Sequence, residues 1–143
     1  MDLRDGQALF LLPRDSRGPI RLTGYVLDFA PAMAAWSHDG SRFVVPCPLA
    51  DTDGDGAVAY SDRHGLALFD RRGTRLAALP PEAADAVDPF FSPDGNRIAF
   101  VEGWALRVWI PDSGSVETSI PDDGGTFPRL AGWAGDPPVP VFT

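Results

Sequence analysis

Between Ala50 and Arg63 the chain reads Asp51-Thr52-Asp53-Gly54-Asp55-Gly56-Ala57-Val58-Ala59-Tyr60-Ser61-Asp62. Counted from Asp51, carboxylates fall at positions 1, 3, 5 and 12, glycine at 6 and an apolar residue at 8. A hard cation takes six to eight oxygen ligands. Alternating aspartates can turn three carboxylates to one side, Gly56 permits the sharp turn, and the Ala57 carbonyl adds a further oxygen. Asp62 then closes the cage. The predicted chemistry is calcium coordination by Asp51, Asp53, Asp55, Ala57 and Asp62, with the ion ordering a loop rather than driving a switch.

This is the spacing of an EF-hand calcium loop, with three departures. Position 12 is Asp rather than the longer Glu that binds through both oxygens, position 9 is Ala59 and leaves its ligand to water, and no helix is expected on either side. Other reactive groups are sparse. His38 and His64 are the only histidines and do not form a metal pair at i and i+4, and no Gly-x-Ser-x-Gly elbow is present. His38 reads as a solvated turn residue. His64, beside Arg63 at the edge of the acidic loop, is placed to orient a carboxylate. The single cysteine, Cys47, cannot form an intramolecular disulfide and, after an apolar run, is expected to be a buried inert thiol. No catalytic residue is assigned, and the chain is expected not to be an enzyme.

The elements that must position the loop are written as repeats. Trp36-Ser37-His38-Asp39-Gly40-Ser41-Arg42-Phe43-Val44-Val45 recurs as Phe91-Ser92-Pro93-Asp94-Gly95-Asn96-Arg97-Ile98-Ala99-Phe100, and Ser92 lies 55 residues after Ser37. Leu11 to Gly18 recurs as Leu66 to Gly73 at the same separation of 55, and Arg107 to Gly114 follows after only 41. The first complete repeat therefore holds 14 extra residues (55 against 41), which fall between Val45 and Leu66 and contain the aspartate loop. A degraded copy stands at Trp133-Ala134-Gly135-Asp136, followed by Pro137, Pro138 and Pro140. Each copy is an aromatic residue, an Asp-Gly turn, an arginine and an apolar run. That order predicts two strands joined by a tight hairpin. With 15 Gly and 15 Pro in 143 residues and no convincing amphipathic helix, an all-β fold of short antiparallel strands is expected.

Repeats of about 40 residues with four short strands are the signature of propeller blades. Phe91-Ser92-Pro93-Asp94-Gly95, Arg97-Ile98-Ala99-Phe100, Val108-Trp109-Ile110 and Ser113-Gly114 together resemble the WD-like blade of the TolB-type β-propellers. The first copy departs by having His38 where that pattern has Pro, and the last keeps little beyond Trp133 and Asp136. The resemblance implies a half-blade at 7–27, full blades at 30–82 and 87–121, and a half-blade at 127–142. On it, the aspartate loop resembles calcium loops inserted between propeller strands more than a helix-loop-helix sensor. Trp36, Trp109 and Trp133 are expected in the core between blades, and Trp104, after Gly103, is expected to be exposed.

The two half-blades are complementary, and three blades fall short of the four to eight that generally close a ring. Three arrangements follow: a homodimer whose terminal half-blades complete one another into a six-bladed ring, a piece of a longer propeller, or a compact monomer. Blade topology also sorts charge. Asp28, Asp51, Asp53, Asp55, Asp62, Glu82, Asp85, Asp88, Glu102, Asp122 and Asp123 go to one end, while Arg14, Arg17, Arg21, Arg42, Arg71, Arg72, Arg75 and Arg97 go to the other. A net charge of -8 argues against nucleic acid, and no stretch reads as a membrane span. The start lacks a signal peptide, so a cytoplasmic protein is expected, although the TolB resemblance implies a periplasmic setting.

Three functional classes remain open at this level. The leading expectation is a non-catalytic interaction module whose acidic end docks a protein partner, a cationic one being the kind whose charge would complement the carboxylates. The alternatives are a fragment of the propeller domain of a prolyl-oligopeptidase-like peptidase and a structural repeat of a surface or secreted protein.

Overall fold

The computed structural model describes residues 8–11, 18–26, 34–59, 61–125 and 127–143. Arg14, Arg17 and Asp28, and the side chain of Arg21, lie outside the described residues, as does Tyr60 of the aspartate loop. Among the described residues twelve strands follow one another. They are β1 (Ala8–Leu11), β2 (Ile20–Val26), β3 (Ala35–Trp36), β4 (Arg42–Pro48), β5 (His64–Asp70), β6 (Arg75–Leu79), β7 (Ala86–Phe91), β8 (Ile98–Glu102), β9 (Ala105–Ile110), β10 (Ser115–Ile120), β11 (Leu130–Ala134) and β12 (Val139–Phe142). Among the described residues there is no helix. The fold is all-β and antiparallel.

Sheet order follows chain order. Strands β3-β4-β5-β6 form one four-stranded sheet, β7-β8-β9-β10 a second, and β1-β2 and β11-β12 two separate pairs. Each strand in a sheet lies next to its sequence neighbour and antiparallel to it. The Asp-Gly turns explain why. In the first, Gly40 N–H donates to the Ser37 carbonyl and Ser37 N–H to the Arg42 carbonyl, and in the second Gly95 and Ser92 make the same two bonds to Ser92 and Arg97. In both, the serine hydroxyl donates to the aspartate two residues on, at 2.8 Å for Ser37 to Asp39 and 2.6 Å for Ser92 to Asp94. The same hydroxyl accepts the arginine N–H at 3.0 Å in each copy. Two side chains, the serine and the aspartate, thus help to satisfy a turn whose glycine, Gly40 or Gly95, stands at positive φ.

The core joins the two large sheets. Val44, Leu66 and Leu68 of the first pack with Ala86, Ile98, Phe100 and Trp109 of the second, and all are buried. The opposite face of the first sheet carries Phe43, Val45, Cys47, Ala67 and Phe69, which form a second buried cluster. Strand β4 is therefore covered on both sides, which explains why its apolar residues run continuously instead of alternating. Phe43 and Phe69 stack across β4 and β5, with centroids 5.2 Å apart.

The tryptophans divide. Trp109 is in the core, Trp104 is exposed, and Trp133 is half-buried. Trp36 corrects the expectation of a core position, being 50% exposed. It ends a two-residue strand at the edge of its sheet, where its ring leans on Phe43 with centroids 4.8 Å apart.

Candidate functional site

The aspartate loop joins β4 to β5, so both of its ends are held by a long strand pair running from Arg42↔Asp70 to Pro48↔His64. Asp51, Asp53 and Asp55 are brought together, all exposed, with one carboxylate oxygen from each inside a 4.8 Å cluster. Backbone N–H groups arrange them. Asp51 accepts from Gly54 at 2.6 Å on one oxygen and from Gly56 at 2.9 Å on the other. Asp53 accepts from Asp55 N–H at 3.1 Å, and Asp55 from Ala57 N–H at 2.9 Å. Gly54 and Gly56 both stand in the left-handed region, at φ 80° and 89°, where a side chain would be strained.

Such a cluster could hold a metal ion. Oxygens within a few ångströms of one another suit a cation that takes oxygen ligands at about 2.3–2.6 Å. Ala57 ends the run of bends that begins at Thr52, and its N–H donates to Asp55. Three carboxylates crowded at the surface with no cation among the described side chains also repel one another, which a divalent ion would relieve.

Asp62 does something other than close a cage. It is buried, 2% exposed, and stands outside the cluster of three. One of its oxygens accepts from the Thr52 N–H, from the Thr52 hydroxyl at 3.0 Å and from Asp53 N–H at 3.2 Å, and the other accepts from Ala59 N–H at 2.7 Å. These donors, the Ala59 and Thr52 N–H groups foremost, hold its carboxyl below the usual range. The Thr52 hydroxyl in turn accepts Arg63 N–H at 2.8 Å. Asp62 is the internal anchor of the loop. Its short side chain meets the backbone of residues 52, 53 and 59 before it can reach the aspartate cluster.

Beyond the loop, His64 orients a carboxylate, with its Nδ1 3.2 Å from Asp85 Oδ1 and its N–H donating to the same oxygen at 2.6 Å. This region is less uniformly acidic than the spacing of charges predicts. Arg107 Nη1 lies 2.8 Å from Glu82 and 2.9 Å from the buried Glu102. The pairing with Arg107 lowers the Glu82 carboxyl and, reciprocally, Glu82 foremost raises the Arg107 guanidinium. Arg63 donates to the main-chain carbonyls of Glu82 and Ala83. The sequence places Arg63 only as a neighbour of His64 and gives Arg107 no role. The available signal was Arg107 itself, a charge between Leu106 and Val108 in an otherwise apolar strand.

His38 is exposed in its turn, and Cys47 is buried, with desolvation pushing its thiol up to about 12. A thiol so placed is neither a nucleophile nor a ready metal ligand. No helix among the described residues is long and apolar enough to cross a membrane. No family model matches the chain, and no curated protein matches it.

Proposed function

We propose that this chain is a non-catalytic β-propeller interaction module of the TolB-like, WD-like kind, whose acidic end docks a protein partner and whose aspartate loop is ordered by calcium. The observation that carries this reading is the pair of successive four-stranded meanders with the same Ser-x-Asp-Gly hairpin, closed by the same two main-chain hydrogen bonds and packed through a shared core. That is how blades are built and stacked. The exposed carboxylates of Asp51, Asp53 and Asp55 support a hard divalent cation, with the Ala57 carbonyl and water filling the remaining positions. With Asp62 committed to the backbone, few protein ligands remain, which suits a weak, structural site. A second copy, supplying the strands that β11-β12 and β1-β2 each lack, would complete a six-bladed ring.

Two measurements test the parts separately. Melting in millimolar calcium should exceed melting in chelator, and an identical melt in both removes the ion from the reading. Light scattering across concentrations should give twice 15.3 kDa for a closed dimer; a concentration-independent monomer mass removes the second copy.

A further inference from the structure

A cleft of about 320 Å³ opens between the second large sheet and the segment that enters β11. We infer that this cleft is the anchor pocket of the acidic docking face and receives an apolar side chain from a lysine- or arginine-rich segment of a partner protein. This rests on the docking-module reading and adds to it a place and a recognition chemistry. Buried Val101 and Leu106 are in the lining, together with the exposed rings of Phe90 and Phe127. Phe90 is 48% exposed and Phe127 41%. Exposed aromatic walls over an aliphatic floor are the composition of interface hot spots and small binding pockets.

The backbone is bent to make this pocket. Strand β7 carries an extra residue between Val87 and Phe90 relative to β8, and Asp88 there stands at φ 49°, the one non-glycine residue at positive φ among the described residues. Pro89, which has no N–H for the ladder, follows it. The bulge buries Pro89 and leaves Phe90 and Asp88 exposed. On the other wall, the Arg129 backbone exchanges two hydrogen bonds with Thr143, and Phe127 meets Trp104 edge-on at 5.9 Å. The pocket therefore has a carboxylate, Asp88, and a guanidinium, Arg129, in its lining. Asp88, together with the net charge of -8, favours a cationic segment, while Arg129 can donate to that segment's main-chain carbonyls.

The test uses two capped peptides, acetyl-Lys-Lys-Leu-Lys-Lys-amide and its counterpart with Ala in place of Leu, titrated into the 15N-labelled protein. Burying the leucine should make the first bind about tenfold tighter, with amide shifts centred on Phe90, Val101 and Arg129. Phe127→Ala should abolish that preference, and Asp88→Asn should weaken both peptides several-fold. Phe90→Ala serves as a second wall variant should Phe127→Ala disturb the fold. Equal binding of the two peptides, or a leucine preference that survives both wall variants, overturns the pocket while leaving the acidic face as a docking surface. No binding of either peptide overturns both.

Discussion

The guanidinium of Arg42, at the exit of the Asp-Gly hairpin in the first large sheet, donates through Nη2 to the carbonyl of Gly95, the turn glycine of the same hairpin in the second. Its carbon also sits 5.9 Å from the centroid of the Phe91 ring. One repeat thus clasps the next at the same point of its own turn. A Cβ on Gly95 would come 3.1 Å from that guanidinium, which a small shift of the flexible arginine would relieve, so it is chiefly the φ of 73° that calls for glycine there. Arg97, the counterpart of Arg42, instead faces Glu117 at 3.7 Å on the surface.

Equivalent positions in the repeat should therefore respond differently. Arg42→Ala is expected to lower stability by about 1–3 kcal/mol through the lost charged hydrogen bond and ring contact. Arg97→Ala should change it by less than about 1 kcal/mol, as an exposed pair allows. Urea denaturation of the two variants checks this, and equal losses would mean that Arg42 does not couple the sheets.

The aspartate loop separates into a folding anchor, Asp62, and an exposed cluster of three aspartates that could hold a metal ion. Asp62→Ala leaves the N–H groups of Thr52, Asp53 and Ala59 without their acceptor and should cost about 1–3 kcal/mol even in chelator. Asp53→Ala should leave the chelator melt within about 2 °C of the parent and remove only the increment that calcium adds. Thermal melts of both variants with and without calcium decide the matter; the reverse pattern would return Asp62 to the cage.

The hairpin carboxylates predict acid sensitivity. The Ser41 N–H, then the Ser41 and Ser37 hydroxyls, bring the Asp39 carboxyl down to about 2 from 3.8, and the Ser92 hydroxyl foremost lowers Asp94. A folded-state value below the unfolded one means stability that is complete above the unfolded value and is lost as pH falls toward the folded one. The melting temperature should thus fall between about pH 4 and pH 2. The double variant Asp39→Asn, Asp94→Asn, which keeps an acceptor oxygen but cannot titrate, should flatten that fall in a series of melts over this range.

Cys47 reports on the core. Held inside the cluster of Phe43, Val45, Ala67 and Phe69 with its thiol raised to about 12, it should resist a thiol reagent at pH 8 in the native protein and react fully in denaturant. Rapid native labelling would show that this face of the first sheet opens.

What the amino-acid sequence determined alone is what neighbouring residues can settle between themselves. Ser37 with Asp39 and Ser92 with Asp94 lie two apart, so their turns, and the antiparallel hairpins they close, are legible in spacing and glycine position. The same holds for the gathering of Asp51, Asp53 and Asp55, which rests on backbone N–H groups no more than five residues away. The tertiary structure alone decided which residues meet between strands and loops and which are left exposed or buried. It set Arg107 between Glu82 and Glu102, left Trp36 uncovered at an edge, sank Asp62 beneath its own loop and opened a cleft at the Asp88 bulge. Those outcomes depend on strand register and on which face finds a partner. A one-residue bulge redirects the side chains around it, and no local pattern in Val87-Asp88-Pro89-Phe90 records which way they then point.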